Sequence, residues 1–478
     1  MTAPVIPYTF AKNHGILVTG HEGDQISILL RNNASATSVA EIRRSLGVSV
    51  SIAGYLDTTT FDTRLAEAYV HTGNETAEVI EDLGKDVDIL QLMQALPPVE
   101  DILDSQNDAP VIRLVNALFA QALQQKTSDI HIEPYEGHSS VRFRHDGFLR
   151  EIARPHRGLH AALASRIKIM ASLDIAEKRL PQDGRIALRL GNRAIDVRVS
   201  TVPTTHGERL VMRLLEKNAE RAHLQHLGMP PSIQERFTRA LHHPHGIVLV
   251  TGPTGSGKTT TLYAALQSMD CKTRNIVTVE DPVEYDIAGV GQIQVNARIE
   301  LTFAKALRSL LRQDPDVIMI GEIRDMETAR IAVQASLTGH LVLATLHTND
   351  STSAITRLID MGVERFLLAS SLRAVLAQRL LRCLCPLCRQ PETTTDSQRW
   401  TARGCPACGQ SGYQGRTGIF EMVEMNDTLA QMIHDAAPEA DLRHHAALAG
   451  TRTLHEDGLR LLADGTTSRE ELLRVISE

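Results

Sequence analysis

The hydrophobic pattern of the chain changes character several times. Up to about residue 95 it is mixed, with helical periodicity around 38–46 and 76–90. Leu96-Pro-Pro-Val-Glu-Asp predicts the exit from a first domain, and Asp104-Ser-Gln-Asn-Asp-Ala-Pro110 predicts a polar linker stopped by proline. From Val111 the spacing becomes that of an amphipathic helix. Short segments follow in which apolar and charged positions alternate: Asp129-Ile-His-Ile-Glu, Ser140-Val-Arg-Phe-Arg and Arg193-Ala-Ile-Asp-Val-Arg-Val-Ser. Period-two alternation predicts strands with one buried and one wet face. Asp146-Gly147 and Asp183-Gly184 mark turns, and the region closes near Lys217 as a small α/β domain.

From about 226 to 380 apolar runs and helical patterns alternate, which predicts a mostly parallel sheet. A cysteine-rich stretch comes next, and then a helical, charged tail with glycine breaks. The expected regions are 1–95, 106–220, 226–380, 381–418 and 419–478. With 478 residues the chain exceeds a single core, in keeping with several domains. No internal repeat, heptad or low-complexity tract interrupts this layout.

Composition narrows the class. Hydrophobic residues make up 42% and charged residues 22%, the balance of a soluble globular protein. The net charge of -7 supplies no general field for nucleic acid, so no nucleic-acid partner is expected. No apolar run is long enough to span a bilayer, and the N-terminus lacks a secretory-signal layout. A cytoplasmic location is expected, with membrane contact only through partners.

The strongest motif is Gly246-Ile-Val-Leu-Val-Thr-Gly252-Pro253-Thr254-Gly255-Ser256-Gly257-Lys258-Thr259-Thr260. An apolar strand runs into G-x-x-x-x-G-K-T, whose glycines let backbone N–H groups cradle phosphate at a helix N-terminus. Lys258 is expected on the β- and γ-phosphates, and Thr259 on Mg²⁺. Three more apolar strands end in polar groups. Ile276-Val-Thr-Val-Glu280-Asp281-Pro282-Val-Glu284 places acids at a strand end, where a plain solvated turn is the competing reading. Asp316-Val-Ile-Met-Ile-Gly321-Glu322 is a Walker-B-type strand in which Gly-Glu replaces the usual Asp, so Glu322 would hold Mg²⁺ through water or polarise the attacking water. In Gly339-His340-Leu-Val-Leu-Ala-Thr-Leu-His347-Thr-Asn349, His347 would donate to the γ-phosphate, although a lone histidine is more often structural.

Five of the six cysteines lie between 383 and 408. Cys385-Pro-Leu-Cys388 and Cys405-Pro-Ala-Cys408 are two knuckles with the spacing of a tetrathiolate Zn²⁺ site of structural type. Cys383 lies too close to Cys385 for a knuckle and reads as a bystander. Cys271 reads as a small buried residue.

Together these segments resemble the secretion-ATPase superfamily of bacterial type II secretion and type IV pilus motors. Thr278 to Glu284 is similar to its Asp box, Leu310 to Asp325 to its Walker B region, and Gly339 to Asn349 to its His box. Ser128-Asp-Ile-His-Ile-Glu-Pro134, Arg179-Leu-Pro-Gln-Asp-Gly-Arg185, Asp196-Val-Arg198-Val-Ser-Thr201 and Gly207-Glu-Arg-Leu-Val-Met-Arg213 resemble its second N-terminal domain. The resemblance implies a RecA-like P-loop motor preceded by a small PAS-like α/β domain and a further N-terminal domain, with a tetracysteine module and a helical C-terminal extension. It also implies an ATP-hydrolysing homohexamer, peripheral to the inner membrane, whose residues 1–95 dock on the cytoplasmic domain of a membrane platform protein. Phosphate-contacting arginines map by motif onto Arg198 and Arg213, with Arg308, Arg312, Arg324 and Arg357 in support. His145, in Phe143-Arg-His145-Asp-Gly147, stands where the family commonly has an aliphatic residue.

The tetracysteine spacing and the opening Ile6-Pro-Tyr-Thr-Phe-Ala-Lys-Asn-His-Gly-Ile-Leu-Val18 resemble the GspE-type branch, which drives pseudopilus assembly. A pilus-extension ATPase is the neighbouring reading. A DNA-translocating hexamer and a nucleotide-binding scaffold without turnover are the more distant ones.

Overall fold

The computed structural model describes 109–190, 193–216, 223–394 and 397–476. Before these it describes parts of 11–64, chiefly three strands. The periodicity expected at 76–90, most of that at 38–46 and the linker at 104–108 lie outside the described residues.

In the N-terminal region β1 (Ile16–Glu22) pairs antiparallel with β2 (Gln25–Arg31), and β2 pairs parallel with β3 (Ser49–Leu56). Ile16, Ile26, Ile28 and Phe61 form the buried core of this small layer.

The next domain opens with α1 (Ala109–Gln124). Pro110, expected to end a linker, lies instead in the first turn of this helix, where a missing N–H costs nothing. A six-stranded antiparallel sheet follows in the order β6-β5-β4-β9-β8-β7. Its strands are β4 (Asp129–Pro134), β5 (Ser139–His145), β6 (Phe148–Ala153), β7 (Gln182–Leu190), β8 (Arg193–Thr204) and β9 (Gly207–Glu216), with α2 (Arg157–Met170) between β6 and β7. Leu118 and Phe119 of α1 and Leu163 and Ile167 of α2 pack on Ile130, Phe143, Val197 and Met212.

The expected wet face is not wet at β4, where every residue is buried. Asp129 and Glu133 are roofed by arginines: Arg213 at 2.9 Å and Arg144 at 3.7 Å from Asp129, Arg142 at 2.5 Å and Arg209 at 2.7 Å from Glu133. Burial alone would raise the Glu133 carboxyl, but Arg142 and Arg209 outweigh it and hold the group low. Charge pairing has replaced water on this face.

Residues 218–478 form a separate compact unit. Its seven-stranded sheet has the order β12-β11-β13-β14-β10-β15-β18, built from β10 (Gly246–Thr251), β11 (Ile276–Glu280), β12 (Gly291–Gln294), β13 (Val317–Ile320), β14 (Leu341–Leu346), β15 (Leu372–Leu384) and β18 (Tyr413–Glu424). All neighbours are parallel except the β15–β18 pair. On one face α3 (Pro231–Leu241) and α4 (Lys258–Ser268) cover Val248, Val250 and Leu343. On the other, α5 (Phe303–Leu310), α6 (Met326–Leu337), α7 (Ser351–Asp360) and α8 (Arg365–Ser371) cover Leu249, Ile318 and Val342. β10, β11, β13 and β14 are buried throughout, as expected of central parallel strands.

The boundaries expected at 380/381 and 418/419 fall inside β15 and β18. The cysteine knuckles therefore sit at the end of a long hairpin, with the small pair β16 (Gln390–Thr394) and β17 (Ser397–Thr401) between them. α9 (Asp427–His434) and α10 (Glu439–Leu448) continue the layer on the second face of the sheet. α11 (Leu454–Ala463) and α12 (Arg469–Ile476) pack Leu461, Leu472 and Val475 against Ala377, Leu381 and Ile419.

Candidate nucleotide site and cysteine centre

β10 ends at Thr251 and α4 starts at Lys258, so residues 252–257 make a strand-to-helix bend. Gly252, Gly255 and Gly257 take φ of +147°, +81° and +89°, a region that side chains disfavour. Lys258 turns back over this bend and donates to the carbonyls of Gly252 (2.8 Å) and Pro253 (3.0 Å). Burial pushes its ammonium down to about 8, partly offset by the charge of Glu322. The Ser256 hydroxyl is buried without a hydrogen-bond partner. A desolvated cation and an orphaned hydroxyl at a glycine bend are what an entering phosphate would satisfy. Thr254, Thr259 and Thr260 are exposed, the last two in the first turn of α4.

Glu322 lies just past β13 and Gly321. A Cβ on Gly321 would meet Val279 O and Glu280 Cα at 3.3 Å, which gives a reason for Gly in the place of Asp. Thr345 pins the loop, donating to Gly321 O at 2.6 Å while its own carbonyl accepts from Ile323 N at 3.0 Å. Glu322 pairs with Arg324 and lies 3.5 Å from His347 Nε2. Burial and the charge of Lys258 lower the His347 imidazole below its ordinary value, which favours the neutral ring. The Thr348 N–H donates to Thr251 Oγ1 at 3.0 Å, which ties the His-box loop to the strand before the bend. Lys258, Glu322, Arg324 and His347 thus converge at the carboxyl edge of the parallel sheet. Asp325 and Asp350 close these loops as N-caps of α6 and α7.

The other expected acids are engaged differently. Glu280 is 2% exposed and accepts from Tyr263, from Thr278 at 2.5 Å and from Gln292 at 3.1 Å. Burial and this carboxylate push the Tyr263 phenol well above its usual range. Tyr263 also accepts from the Glu284 N–H at 3.1 Å. Arg308 is paired with Glu327 and, with Arg312, lines a groove of about 830 Å³ between α5 and α6. Arg357 is exposed on α7.

Two residues escaped the sequence reading. Tyr263 is buried beside Tyr285, and its only signal was an aromatic inside the post-loop helix. Gln378, 2% exposed, reaches from β15 to Ser256 and Thr261. Its signal was a glutamine that follows the apolar run Ala374-Val-Leu-Ala377 in β15.

Arg198 and Arg213 belong to the preceding domain. Arg185, Arg198 and Arg213 are direct cross-strand neighbours on β7, β8 and β9. His145, in that domain, lies 3.4 Å from Asp146.

At the hairpin end, the four sulfurs of Cys385, Cys388, Cys405 and Cys408 lie within 4.8 Å of one another. Cys385–Cys405, Cys388–Cys408 and Cys405–Cys408 are 3.9, 3.8 and 3.7 Å apart. A tetrahedral ion with bonds of about 2.3 Å sets its sulfurs about 3.8 Å apart, so the set fits Zn²⁺. Burial raises the Cys408 thiol, but the Cys405 and Gly412 N–H groups outweigh it and bring it down to about 6. Cys383 is not among the four. Cys271 is half-buried rather than buried, because it sits on the loop after α4.

Residues 104–474 match the profile of the family described as type II/IV secretion system protein. The chain belongs to that family. Residues 5–69 match the profile of an N-terminal domain of GSPII protein E. The chain is 57% identical over 472 residues to the type II secretion system protein HxcR of Pseudomonas aeruginosa, covering 98% of this chain and 99% of that one. It is 49% identical over 488 residues to the type II secretion system ATPase E of Vibrio cholerae, covering 99% and 97%.

Among solved structures, the pilus retraction motor PilT with bound ADP is similar at 25% identity and TM-score 0.53, over 75% of this chain and 95% of that one. The DotB ATPase of Legionella pneumophila shares the fold at 20% identity and TM-score 0.58, over 76% and 94%. Among the described residues no helix is long and apolar enough to cross a membrane. With the phosphate loop, Lys258 and Glu322 on one sheet edge, this member of the family is an ATP-hydrolysing enzyme.

Proposed function

We propose that the chain is the ATP-driven motor of a type II secretion system. The observation that carries this reading is the convergence of Lys258, Glu322 and His347 beside the glycine bend. ATP would place its phosphates on the N–H groups of 252–258, and Lys258 would exchange its two carbonyl partners for phosphate oxygens. Thr259 would hold Mg²⁺, which would supply neutralisation of the phosphate charge. Glu322 takes the proton of the attacking water, and neutral His347 donates to the γ-phosphate. Glu280 and Glu284, through the Tyr263 cluster, shape the acidic edge of the site.

Arg198 and Arg213 are assigned to phosphate contact. Their positions in the motifs support this, and they are direct cross-strand neighbours on β8 and β9. Zn²⁺ on the four cysteines holds the hairpin and takes no part in the chemistry. The homohexamer, the docking of residues 1–95 on the cytoplasmic domain of an inner-membrane platform protein and the resulting peripheral membrane location belong to the same proposal. The identity of the motor's relatives supports it, as does the match of residues 5–69 to a GSPII protein E domain.

The test is phosphate release by the wild type and Glu322→Gln, with ADP binding measured alongside. Loss of a general base lowers kcat by roughly 10²–10⁴-fold with binding retained. Equal rates would remove Glu322 from the mechanism. Capture of pilus platform proteins alone by residues 1–95 would overturn the secretion assignment.

A further inference from the structure

Gln378 is hydrogen-bonded through both ends of its amide to the phosphate loop and the helix that follows. Its Nε2 donates to Ser256 O at 2.7 Å, and its Oε1 accepts from Thr261 Oγ1 at 2.7 Å, one partner in the bend and the other in the first turn of α4. The loop also packs closely on β15 at this residue. A Cβ on Gly252 would run into Gln378 O, and one on Gly257 would lie 3.0 Å from Gln378 Nε2. Leu376, two residues before it, packs in the apolar layer with Leu262 and Tyr263. A primary amide in that layer costs stability unless its polar atoms are bonded, and both ends are bonded to the loop and its helix.

The consequence follows from peptide geometry. The Ser256–Gly257 bond is trans, and in a trans peptide the C=O and the following N–H point in opposite directions. By fastening Ser256 O toward β15, Gln378 turns the Gly257 N–H away from β15.

We propose that Gln378 is the positioning residue of the phosphate loop, holding the Ser256–Gly257 peptide so that its N–H is presented to the nucleotide phosphates. The assignment rests on the ATPase reading above. Gln378 touches neither substrate nor metal and acts through the Gly257 amide. It also links the loop to the strand that runs into Cys385, the first of the four clustered cysteines.

The experiment measures ADP affinity, KM, kcat and Tm for the full chain and for Gln378→Met, which conserves volume and removes both bonds. Losing one hydrogen bond to a charged phosphate weakens binding about 10–100-fold. Gln378→Met is therefore expected to bind ADP more weakly by that factor, and its KM to rise more than its kcat falls. Thr261→Val, which leaves the Ser256 bond intact, is expected to change affinity far less. Gln378→Glu supplies a second readout that does not depend on the methionine variant folding. Its carboxylate cannot donate to Ser256 O, so binding is weak, and it recovers as pH is lowered and the carboxyl gains a proton. The wild type shows no such recovery.

Wild-type ADP affinity in Gln378→Met, equal losses in Gln378→Met and Thr261→Val, or no acid recovery in Gln378→Glu would each overturn the assignment while leaving the ATPase reading in place. Failure of the wild-type chain to bind ADP would overturn the ATPase reading, and the assignment with it.

Discussion

His347 Nε2 stands 3.5 Å from Glu322 Oε2, across the ends of the adjacent strands β14 and β13. Burial first, and then the charge of Lys258, holds the ring below its ordinary value of 6.5, and Glu322 only partly offsets them. Between 6.5 and that lower value the unfolded chain binds more protons than the folded one, so stability falls as pH falls through the window. His347→Gln should make the decline of Tm below pH 6.5 shallower than in the wild type. The same substitution should remove the acid limb of the kcat profile, measured by phosphate release. An unchanged acid limb would separate His347 from turnover.

Lys258 is a cation whose folded site disfavours its charge. With its ammonium down at about 8, the unfolded chain binds more protons between about 8 and 10.5. Stability on this account rises with pH in that window, and below it the buried charge is a standing cost. Lys258→Met should raise the Tm of the nucleotide-free chain, by about 2–4 °C for each kcal/mol recovered. ADP should no longer raise the Tm further. A lower Tm in this variant, measured without nucleotide, would refute the account.

Glu471 joins α12 to the motor sheet. It is 1% exposed and accepts from Arg382 at 2.7 and 3.0 Å, from the Arg382 N–H at 3.1 Å and from Arg474 at 2.8 and 3.0 Å. Burial opposes its charge, yet these donors bring the carboxyl down to about 2. Its stabilising contribution is present above 4.5 and is lost as pH falls toward 2. Glu471→Ala removes the buried carboxylate shared by Arg474 and by Arg382, whose guanidinium also stacks 3.9 Å over Tyr413, and should cost about 3–5 kcal/mol in a urea titration. A loss under about 1 kcal/mol would show that the surface of α12 holds it in place without the pair.

Cys405→Ser should abolish stoichiometric zinc in the purified chain. Limited proteolysis should then cut within 386–412, while the ladder between β15 and β18 keeps the motor sheet intact. Retention of one zinc per chain by the variant would rule out the four-sulfur site.

Much of the motor was legible because its signals are local. An apolar run followed by glycines and Lys258 needs only a strand, a bend and a helix to be read, and β10 and α4 fall where that pattern placed them. The paired cysteine knuckles were equally readable, since ligand spacing constrains a tetrahedron directly. The wet face expected of β4 was not legible. Its residues alternate as a half-exposed strand should, but the arginines that close over Asp129 and Glu133 come from β5 and β9. Arg308 and Arg324 looked equivalent in sequence, yet one pairs with Glu327 beside a groove and the other with Glu322.

By itself the order of residues determined which segments are strands and helices in the motor, where phosphate would sit and which thiols would share an ion. Each of these depends on neighbours a few positions away, where backbone geometry leaves few choices. Only the tertiary structure decided what Glu280, Gln378 and Glu471 do. Each is a polar group in an apolar layer, and its role is set by the partners that folding brings to it: Tyr263 for the first, Ser256 and Thr261 for the second, Arg382 and Arg474 for the third. A buried polar side chain must find such partners or forfeit its solvation, and which partners it finds depends on how distant strands are brought together.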